Sequence, residues 1–308
     1  MTEKTRLLAT WAEEYNRNQD GAIGITRGEP MCRHTTFRIG GEADLFLVPK
    51  DREAFRALIR AARETGTKYF LLGRGSNVLF DDAGYRGAVI GMGGLDSVRV
   101  EGNTVTAEAG ALLAQVCKAA RDASLTGLEF AYGIPGSVGG AVAMNAGAYG
   151  GEIRDVLCAS TACDRETGEI LDLEPENHLF SYRDSVYRRG DLAVLSASFR
   201  LDEGEKETIA AKMNGIMDRR TSKQPLEFPS AGSVFKRPEG HFVGQMVEES
   251  GLKGYRIGGA EVSEKHAGFI VNRGGATSAD VLTLVEYIRD TVRKNYGVEL
   301  ECEIIRVV

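Results

Sequence analysis

Two stretches of this sequence are crowded with glycine and alanine: "GRGSN" at residues 73–77 and "GIPGSVGGAVAMNAGAYGG" at residues 133–151. Glycine adopts backbone angles that are closed to other residues and, because it lacks a side chain, lets a ligand approach the peptide N–H groups. Successive N–H groups in such turns form a concavity that binds anions. Two loops of this kind in one chain indicate a diphosphate, and therefore a nucleotide cofactor.

The common nucleotide-binding motifs are absent from both stretches. There is no GxxxxGK[ST], and no GxGxxG lies between a strand and a helix. The sequence therefore supports neither a P-loop nor a Rossmann dinucleotide site. Each glycine stretch taken alone is equally consistent with a tight turn after a strand, so the pair carries the cofactor hypothesis.

Composition narrows the class of protein. The 308 residues are 43% hydrophobic and 27% charged, which is typical of a globular chain of two or three domains. A net charge of −6 without a basic block argues against nucleic acid or an anionic membrane as the main partner. The charged first residues lack the pattern of a signal peptide, and no apolar run approaches the roughly 20 residues of a membrane span. We therefore expect a cytoplasmic protein.

The five cysteines are odd in number and scattered, without a CxxC pair. This pattern supports neither a disulfide framework nor a zinc site, and no metal is expected.

The elements that must position the glycine loops alternate between helix and strand. Apolar periodicity predicts a helix over 51–65, capped by Asp51 and stopped by Gly66, and the strand "KYFLL" then runs into "GRGSN". An alternating pattern predicts a hairpin over 98–109, and an amphipathic helix within 111–127 leads into the long glycine stretch. That stretch itself fits neither helix nor ordinary strand.

The second half of the chain continues this mixed pattern. We expect a hairpin over 156–173, a strand at 192–202, helices after 204, at 242–251 and at 278–297, and a last strand over 298–308. Composition changes near Asp202 to Gly204. The sequence therefore predicts an α+β protein with a domain at 1–203, its subdomains at about 1–96 and 97–203, and a smaller α+β domain at 204–308.

Five motifs, taken in order, resemble those of the UDP-N-acetylenolpyruvoylglucosamine reductase family, also called UDP-N-acetylmuramate dehydrogenases. They are "LLGRGSNVLFDDAGYRGAVI", "GLEFAYGIPGSVGGAVAMNAGAYGGEI", "SYRDSVYR", "AGSVFKRPEG" and "GVELECEI". The resemblance runs from about Thr35 to the C-terminus. Several separate motifs in the same order are far more specific than any one of them.

The resemblance implies an FAD-binding fold of the vanillyl-alcohol-oxidase (PCMH) type, built from two α+β subdomains, with a smaller substrate domain and the last strand returning to the FAD domain. FAD would be held without a covalent bond. The implied cofactor-binding residues all lie in the two glycine stretches: Gly73, Gly75, Ser76, Asn77, Ile134, Pro135, Gly136, Gly139, Gly140, Asn145, Gly147 and Ala148.

The implied reaction is the NADPH-dependent reduction of UDP-N-acetylglucosamine enolpyruvate to UDP-N-acetylmuramate in peptidoglycan precursor synthesis. By the same resemblance, Arg183 would hold the substrate carboxylate and Ser233 would give a proton to the enolate-like intermediate. Glu303 would be the third catalytic residue. Glu301 stays open as its alternative, because it lies two residues earlier and on the same face of a strand.

Four further residues are implied contacts of substrate or NADPH: Tyr149, Lys236, Arg237 and His266. Arg237 replaces an asparagine that is common in the family, which leaves open how the substrate diphosphate is held. The spacing from Arg183 to Ser233 leaves little room for the extra loop of the larger subclass, so the chain resembles the shorter, type II form.

Two other functions remain open on the sequence alone. One is a flavin oxidase of the same fold, although no histidine lies in either glycine stretch to tether FAD. The other is a nucleotide-sugar-binding protein without catalysis, against which the joint presence of Arg183, Ser233 and Glu303 argues. Whichever function holds, we expect a monomer, and a preference for NADPH over NADH rests only on the resemblance.

Overall fold

The structure is a computed structural model that describes residues 1–308. The chain divides into two compact units, each made of three segments. The first unit comprises Met1–Arg27, Asp44–Arg74 and Gly87–Arg219, and the second comprises Gly28–Ala43, Gly75–Arg86 and Arg220–Val308. Each unit has its own hydrophobic core. None of the helices has the length and apolar character needed to cross a membrane.

Seven α-helices are present. Their bounds are α1 Glu3–Asn18, α2 Arg52–Glu64, α3 Leu113–Asp122, α4 Val138–Ala143, α5 Lys206–Lys223, α6 Val243–Glu249 and α7 Ser278–Tyr296.

The strands are short and numerous. Their bounds are β1 Ile23–Pro30, β2 Glu42–Pro49, β3 Tyr69–Leu72, β4 Val78–Phe80, β5 Tyr85–Gly91, β6 Val98–Glu101, β7 Thr104–Glu108, β8 Leu125–Thr126, β9 Gly147–Ala148, β10 Gly151–Glu152, β11 Leu157–Asp164, β12 Ile170–Leu173, β13 Leu192–Arg200, β14 Asp202–Glu203, β15 Ser230–Ser233, β16 Arg256–Ile257, β17 Ala260–Val262, β18 Phe269–Asn272 and β19 Ile305–Val307.

Local capping explains why the long helices begin and end where they do. The Asp51 carboxylate accepts a hydrogen bond from Ala54 N at 2.7 Å, and Gly66 follows α2 with φ +62°. Thr277 and Asp280 form a capping box at the start of α7, and Gly297 ends that helix in the left-handed conformation. The helices predicted at 51–65 and 278–297 are confirmed.

The largest sheet of the first unit has the order β12-β11-β13-β7-β6 and is antiparallel throughout. Its hairpins β6–β7 and β11–β12 turn at Gly102 and Gly168, both with positive φ. The hairpins predicted at 98–109 and 156–173 are therefore confirmed. The first unit also contains a four-stranded sheet of order β1-β2-β5-β3. Its strand β3 ends at Leu72, directly before the first glycine stretch.

The second unit contains an antiparallel sheet of order β15-β18-β17-β16, and β19 pairs in parallel with β4. The strand predicted over 298–308 is too long, since only Ile305–Val307 is a strand. The physical reason is a change of partner: Glu303 N donates to Val234 O, whereas Ile305 N donates to Asn77 O.

The long glycine stretch also corrects an expectation, because it contains the helix α4 and the hairpin β9–β10. Val138, Ala141 and Val142 are buried in the first core. Tertiary packing of these three residues outweighs the poor helix propensity of the neighbouring glycines.

The division into units differs from the predicted boundary between 1–203 and 204–308. Ile209 and Met213 of α5 belong to the first core, so the first unit continues to Arg219. Residues 28–43 and 75–86 belong to the second unit, and β19 returns to β4 within that unit. The assignment of FAD and substrate to particular domains stays a prediction.

Candidate active site

The long glycine stretch holds a buried hydroxyl that has no hydrogen-bond partner in the protein. Ser137 is 2% exposed, and its Oγ is unpaired. A Cβ on Gly73, just after β3, would lie 2.3 Å from this oxygen. Gly73 and Gly140 on either side are exposed. A ligand that rested on the exposed backbone of these glycines would therefore lie beside the buried Ser137 hydroxyl.

Other glycines of the stretch are required by packing. A Cβ on Gly139 would lie 2.9 Å from the Ala109 Cβ, and Gly139 N donates to Ala109 O. A Cβ on Gly147 would lie 2.8 Å from the Glu152 Cβ. The remaining predicted residues are half-buried or exposed, and they are Ile134, Pro135, Gly136 and Ala148.

Asn145 is fully buried and holds its surroundings together. Its Nδ2 donates to Glu152 Oε2 at 2.8 Å and to Ser181 O at 3.1 Å, and its Oδ1 accepts from Arg154 N at 3.0 Å. Its φ of +40° lies in the left-handed region, where asparagine is tolerated better than most residues. The Asn145 side chain thus contacts protein groups and offers no surface to a cofactor.

Arg183 lies at the tip of a tight turn in which Ser181 and Asp184 exchange backbone hydrogen bonds. Its φ is +58°, and its Nη2 donates to Gly147 O at 3.2 Å. Ser185 Oγ donates to Ala143 O at 2.8 Å. Together with the bond from Asn145 to Ser181 O, these contacts fasten the Arg183 turn to the long glycine stretch.

Tyr149 lies at the turn between β9 and β10 and is 43% exposed. The Arg219 guanidinium carbon lies 4.9 Å from the centre of its ring, within the range of a cation–π contact. A partly exposed ring with a cation over it offers both an apolar face and positive charge to a ligand.

In the second unit, the segment after β15 pairs with the chain near the C-terminus. Lys236 N donates to Glu301 O and Glu303 N to Val234 O, both at 2.8 Å, around a bridge between Phe235 and Cys302. Ser233 at the end of β15 is exposed. The structure therefore brings the Ser233 segment and the Glu303 segment together.

The two candidate glutamates differ in their surroundings. The Glu301 side chain is 70% exposed and pairs with the Lys236 ammonium group. Glu303 is half-buried, and its carbonyl oxygen accepts from Asn77 Nδ2 at 3.1 Å. Glu303 is the less exposed of the two residues, and a less exposed carboxyl is screened less by water, which favours Glu303 over Glu301 for acid–base work.

His266 lies beside the same segment. Its Nδ1 accepts from Gly268 N at 3.1 Å, and Gly268 O accepts from Val234 N. This assigns the ring proton to Nε2. Burial lowers the pKa of His266 below its ordinary value of 6.5, so the neutral form is favoured.

Two further predicted residues are placed by contacts within the second unit. The exposed Arg237 stacks on Phe242, with its guanidinium carbon 3.9 Å from the ring centre. Gly75 has φ +66°, and a Cβ there would lie 2.1 Å from His34 O. Gly75 therefore allows the backbone of the first glycine stretch to pack closely on residues 34–36. Ser76 and Asn77, which follow it, are half-buried.

The predicted residues fall into two groups, each assembled within its own unit. Arg183, Tyr149, Gly73 and the long glycine stretch belong to the first unit. Ser233, Lys236, Arg237, His266 and Glu303 belong to the second, with Gly75, Ser76 and Asn77. Ser137 was not among the residues predicted from the sequence. Its signal was available, since it is the one short hydroxyl side chain in the long glycine stretch.

The residues of the first unit fit a diphosphate-bearing cofactor. A buried hydroxyl without a partner costs about 1–3 kcal/mol, and a phosphate oxygen would remove that cost by accepting its hydrogen bond. The side-chain-free positions beside Ser137 leave space for such a group. No cluster of three or more metal-ligating side chains is present.

Two family models match separate parts of the chain. Residues 43–174 match a family model described as an FAD binding domain, and residues 224–307 match the C-terminal domain of UDP-N-acetylenolpyruvoylglucosamine reductase. The first match contains both glycine stretches, and the second contains Ser233 and Glu303. The fold and the site together define an FAD-dependent oxidoreductase of α+β class, as predicted.

Whole-chain comparisons define the family. A UDP-N-acetylenolpyruvoylglucosamine reductase of Clostridium novyi is 48% identical over 278 residues, which are 90% of each chain. One from Clostridium perfringens is also 48% identical, over 91% of this chain and 92% of its own. The crystal structure of the reductase from Thermus caldophilus has a TM-score of 0.80 and 35% identity, over 93% of this chain and 100% of that one. This chain belongs to the UDP-N-acetylenolpyruvoylglucosamine reductase family.

Proposed function

We propose that this protein reduces UDP-N-acetylenolpyruvoylglucosamine to UDP-N-acetylmuramate with NADPH, and so supplies a precursor of peptidoglycan. One structural observation supports this reading most directly. Three hydrogen bonds fasten the Arg183 turn to the long glycine stretch, which places a permanent cation beside the proposed cofactor-binding segment. The reaction needs such a cation, because negative charge develops on the substrate carboxylate.

The chemistry that bound FAD supplies is hydride transfer, first from NADPH and then to the enolpyruvyl double bond. Ser137 and the backbone at Gly73 would hold the diphosphate of FAD. Asn145 fixes the long glycine stretch through its bonds to Glu152, Ser181 and Arg154. Arg183 binds the substrate carboxylate with its planar, permanently charged fork and stabilises the enolate character that develops there.

The second unit provides the proton. Ser233 donates it from its hydroxyl to the carbon next to the one that receives hydride, and Glu303 polarises the carboxylate side of the substrate. The Lys236 ammonium group, which pairs with Glu301 in the structure, is the cation nearest to Ser233 in sequence and would favour the serine alkoxide only if it turned from Glu301 toward Ser233. Tyr149, Arg237 and His266 contact the sugar nucleotide or NADPH.

The deciding experiment follows the flavin spectrum of the holoenzyme without oxygen. Addition of NADPH should bleach the yellow colour, and addition of UDP-N-acetylenolpyruvoylglucosamine should restore it. Ser233→Ala and Arg183→Ala should bleach normally but recover about 10²–10³ times more slowly. Fast recovery with oxygen alone would instead favour an oxidase, and a protein that never binds FAD would overturn the proposal. NADH in a parallel experiment tests the cofactor preference.

A further inference from the structure

A buried chain of hydrogen bonds lies in the first unit, away from the residues given a chemical role above. The Ser160 hydroxyl on β11 is 2.6 Å from His178 Nε2 and 2.6 Å from Tyr187 Oη. Ser160, His178 and Tyr187 are 3%, 0% and 6% exposed. We call these three residues the clasp.

The direction of each bond in the clasp follows from the protonation state of His178. His178 Nδ1 lies 3.2 Å from the Pro175 carbonyl oxygen, which can only accept, so Nδ1 carries the proton. When His178 is neutral, Nε2 accepts from the Ser160 hydroxyl, and the Ser160 oxygen accepts from the Tyr187 hydroxyl. In this neutral arrangement every donor in the clasp is used once, whereas protonation of Nε2 would reverse the bond to Ser160 and leave the Tyr187 hydroxyl without an acceptor in the clasp.

The surroundings of His178 maintain this neutral form. Burial is the largest influence and lowers the pKa of His178 below 6.5. Apart from Tyr187, the titratable groups that face it are Glu174 and Glu176, whose negative charges oppose the shift without cancelling it. His178 also stacks on Phe180, with ring centres 5.0 Å apart.

The clasp joins the two ends of the loop that carries Arg183. His178 begins the segment 178–187 and Tyr187 ends it, and both are bound to one hydroxyl on β11. That strand is held on both sides by β12 and β13. Within the loop, Leu179 and Arg183 both have positive φ, which is costly for residues other than glycine. Such a loop keeps its shape only where its ends are fixed.

We propose that Ser160, His178 and Tyr187 are positioning residues that fix the 178–187 loop and thereby hold the Arg183 guanidinium where the substrate carboxylate binds. This inference rests on the proposed function, because it takes the role of Arg183 from there. Because the three side chains of the clasp are buried, they act through the loop rather than on a ligand directly.

Two pairs of variants separate positioning from mere stability. Tyr187→Phe and Ser160→Ala break the clasp. Tyr296→Phe removes a hydroxyl bound to Glu249 in the second unit, and Ser198→Ala removes a hydroxyl bound to Thr106 in the same sheet as Ser160. These two variants are the matched controls. Tyr187→Phe is the mildest change, since it deletes one oxygen and leaves the ring in place.

The readout compares the two half-reactions with the melting temperature of each variant. We expect the clasp variants to raise the KM for the enolpyruvyl substrate and to slow flavin reoxidation by it about 10- to 100-fold. Flavin reduction by NADPH should change less than about twofold, since it does not need a bound carboxylate. The clasp variants could instead have lower melting temperatures but the same rates as the controls in both half-reactions. The clasp would then only stabilise the fold, and the inference would be overturned.

Histidine chemistry provides an independent readout. In the wild type, reoxidation by substrate should weaken as acid protonates His178, because the imidazolium cannot accept from Ser160. His178→Gln keeps an acceptor near the Nε2 position but does not titrate, so this acidic limb should disappear. An unchanged pH profile contradicts the clasp.

The Arg183→Ala variant separates this inference from the proposed function. If its flavin is reoxidised by substrate at the wild-type rate, the role of Arg183 in the proposed function fails. If reoxidation is slow in Arg183→Ala but normal in the clasp variants, only the inference about the clasp fails.

Discussion

Two glycines of "GRGSN" have different physical reasons to be glycine. Gly73 faces a flexible side-chain atom, the Ser137 Oγ, whereas Gly75 faces the rigid backbone at His34 and has a positive φ. We therefore expect Gly73 to be needed for ligand binding and Gly75 to be needed for the fold. The resemblance alone implies a cofactor role for both without separating these reasons.

Gly73→Ala should weaken FAD binding while leaving the fold intact. The new methyl group would displace the Ser137 hydroxyl by rotation, which costs the protein little but removes a donor from the diphosphate. We expect the Kd for FAD to rise about tenfold, equivalent to about 1.4 kcal/mol, with a nearly unchanged apoprotein melting temperature. Titration of apoprotein with FAD, followed by flavin fluorescence, measures this, and an unchanged Kd would remove Gly73 from the site.

Gly75→Ala should instead damage the fold. The left-handed backbone costs about 1–2 kcal/mol for alanine, and the contact with the His34 carbonyl cannot relax by side-chain rotation. We expect a loss of about 3 kcal/mol or more in the free energy of unfolding. Gly102→Ala is the control, since it has φ +56° but no atom within 4 Å of the added Cβ, and should show only the backbone cost. Urea denaturation of all three proteins gives the comparison.

Single substitutions decide whether Glu301 or Glu303 is the third catalytic residue. Glu301→Gln removes a surface ion pair with Lys236, and exposed pairs contribute little, so turnover should change only a fewfold. Glu303→Gln keeps the shape but removes the charge, and should lower kcat by about 10²–10⁴. Steady-state kinetics with both variants decides the matter; the reverse order of effects would assign the role to Glu301.

At the level of elements, the sequence predicts what local interactions determine. The helices α2 and α7 carry their caps within their own residues, and the hairpins have their turn glycines in place. The helix α4 escaped prediction because burial against the first core, absent from any local pattern, stabilises it. The same holds for the clasp, since no spacing reveals that Ser160 meets both His178 and Tyr187.

The sequence predicted the motif that forms the Arg183 turn, but it did not predict that the turn is attached to the long glycine stretch. Asn145→Ala tests that attachment, because Asn145 joins the glycine stretch to Ser181 O. Loss of its three buried bonds, together with a left-handed alanine, should lower the free energy of unfolding by about 2–4 kcal/mol and also raise the KM for the carboxylate substrate.

Asn295→Ala provides the reference for this change. Asn295 is exposed, and its amide bonds only to Ser250 Oγ, so both stability and KM should stay close to the wild-type values. If Asn145→Ala loses stability but keeps its KM, the turn is held by Ser185 and Gly147 without it.

For the whole molecule, each unit contains one histidine that folding keeps neutral, namely the fully buried His178 and the half-buried His266. Burial lowers the pKa of His178 in the first unit and of His266 in the second below 6.5. The unfolded chain therefore binds more protons than the folded one between the lowered value and 6.5. Stability should be fully present above pH 6.5 and decline as the pH falls through that window.

Melting temperatures between about pH 5 and pH 8 measure this linkage. His178→Gln and His266→Gln should each flatten the acidic slope, because each removes one proton taken up on unfolding. The two effects should add, since the histidines lie in separate units and share no hydrogen-bond partner. A double variant whose acidic slope equals that of the wild type would assign the acid sensitivity to carboxylates. A slope lost entirely in His178→Gln would place it in the first unit, with the clasp as its origin.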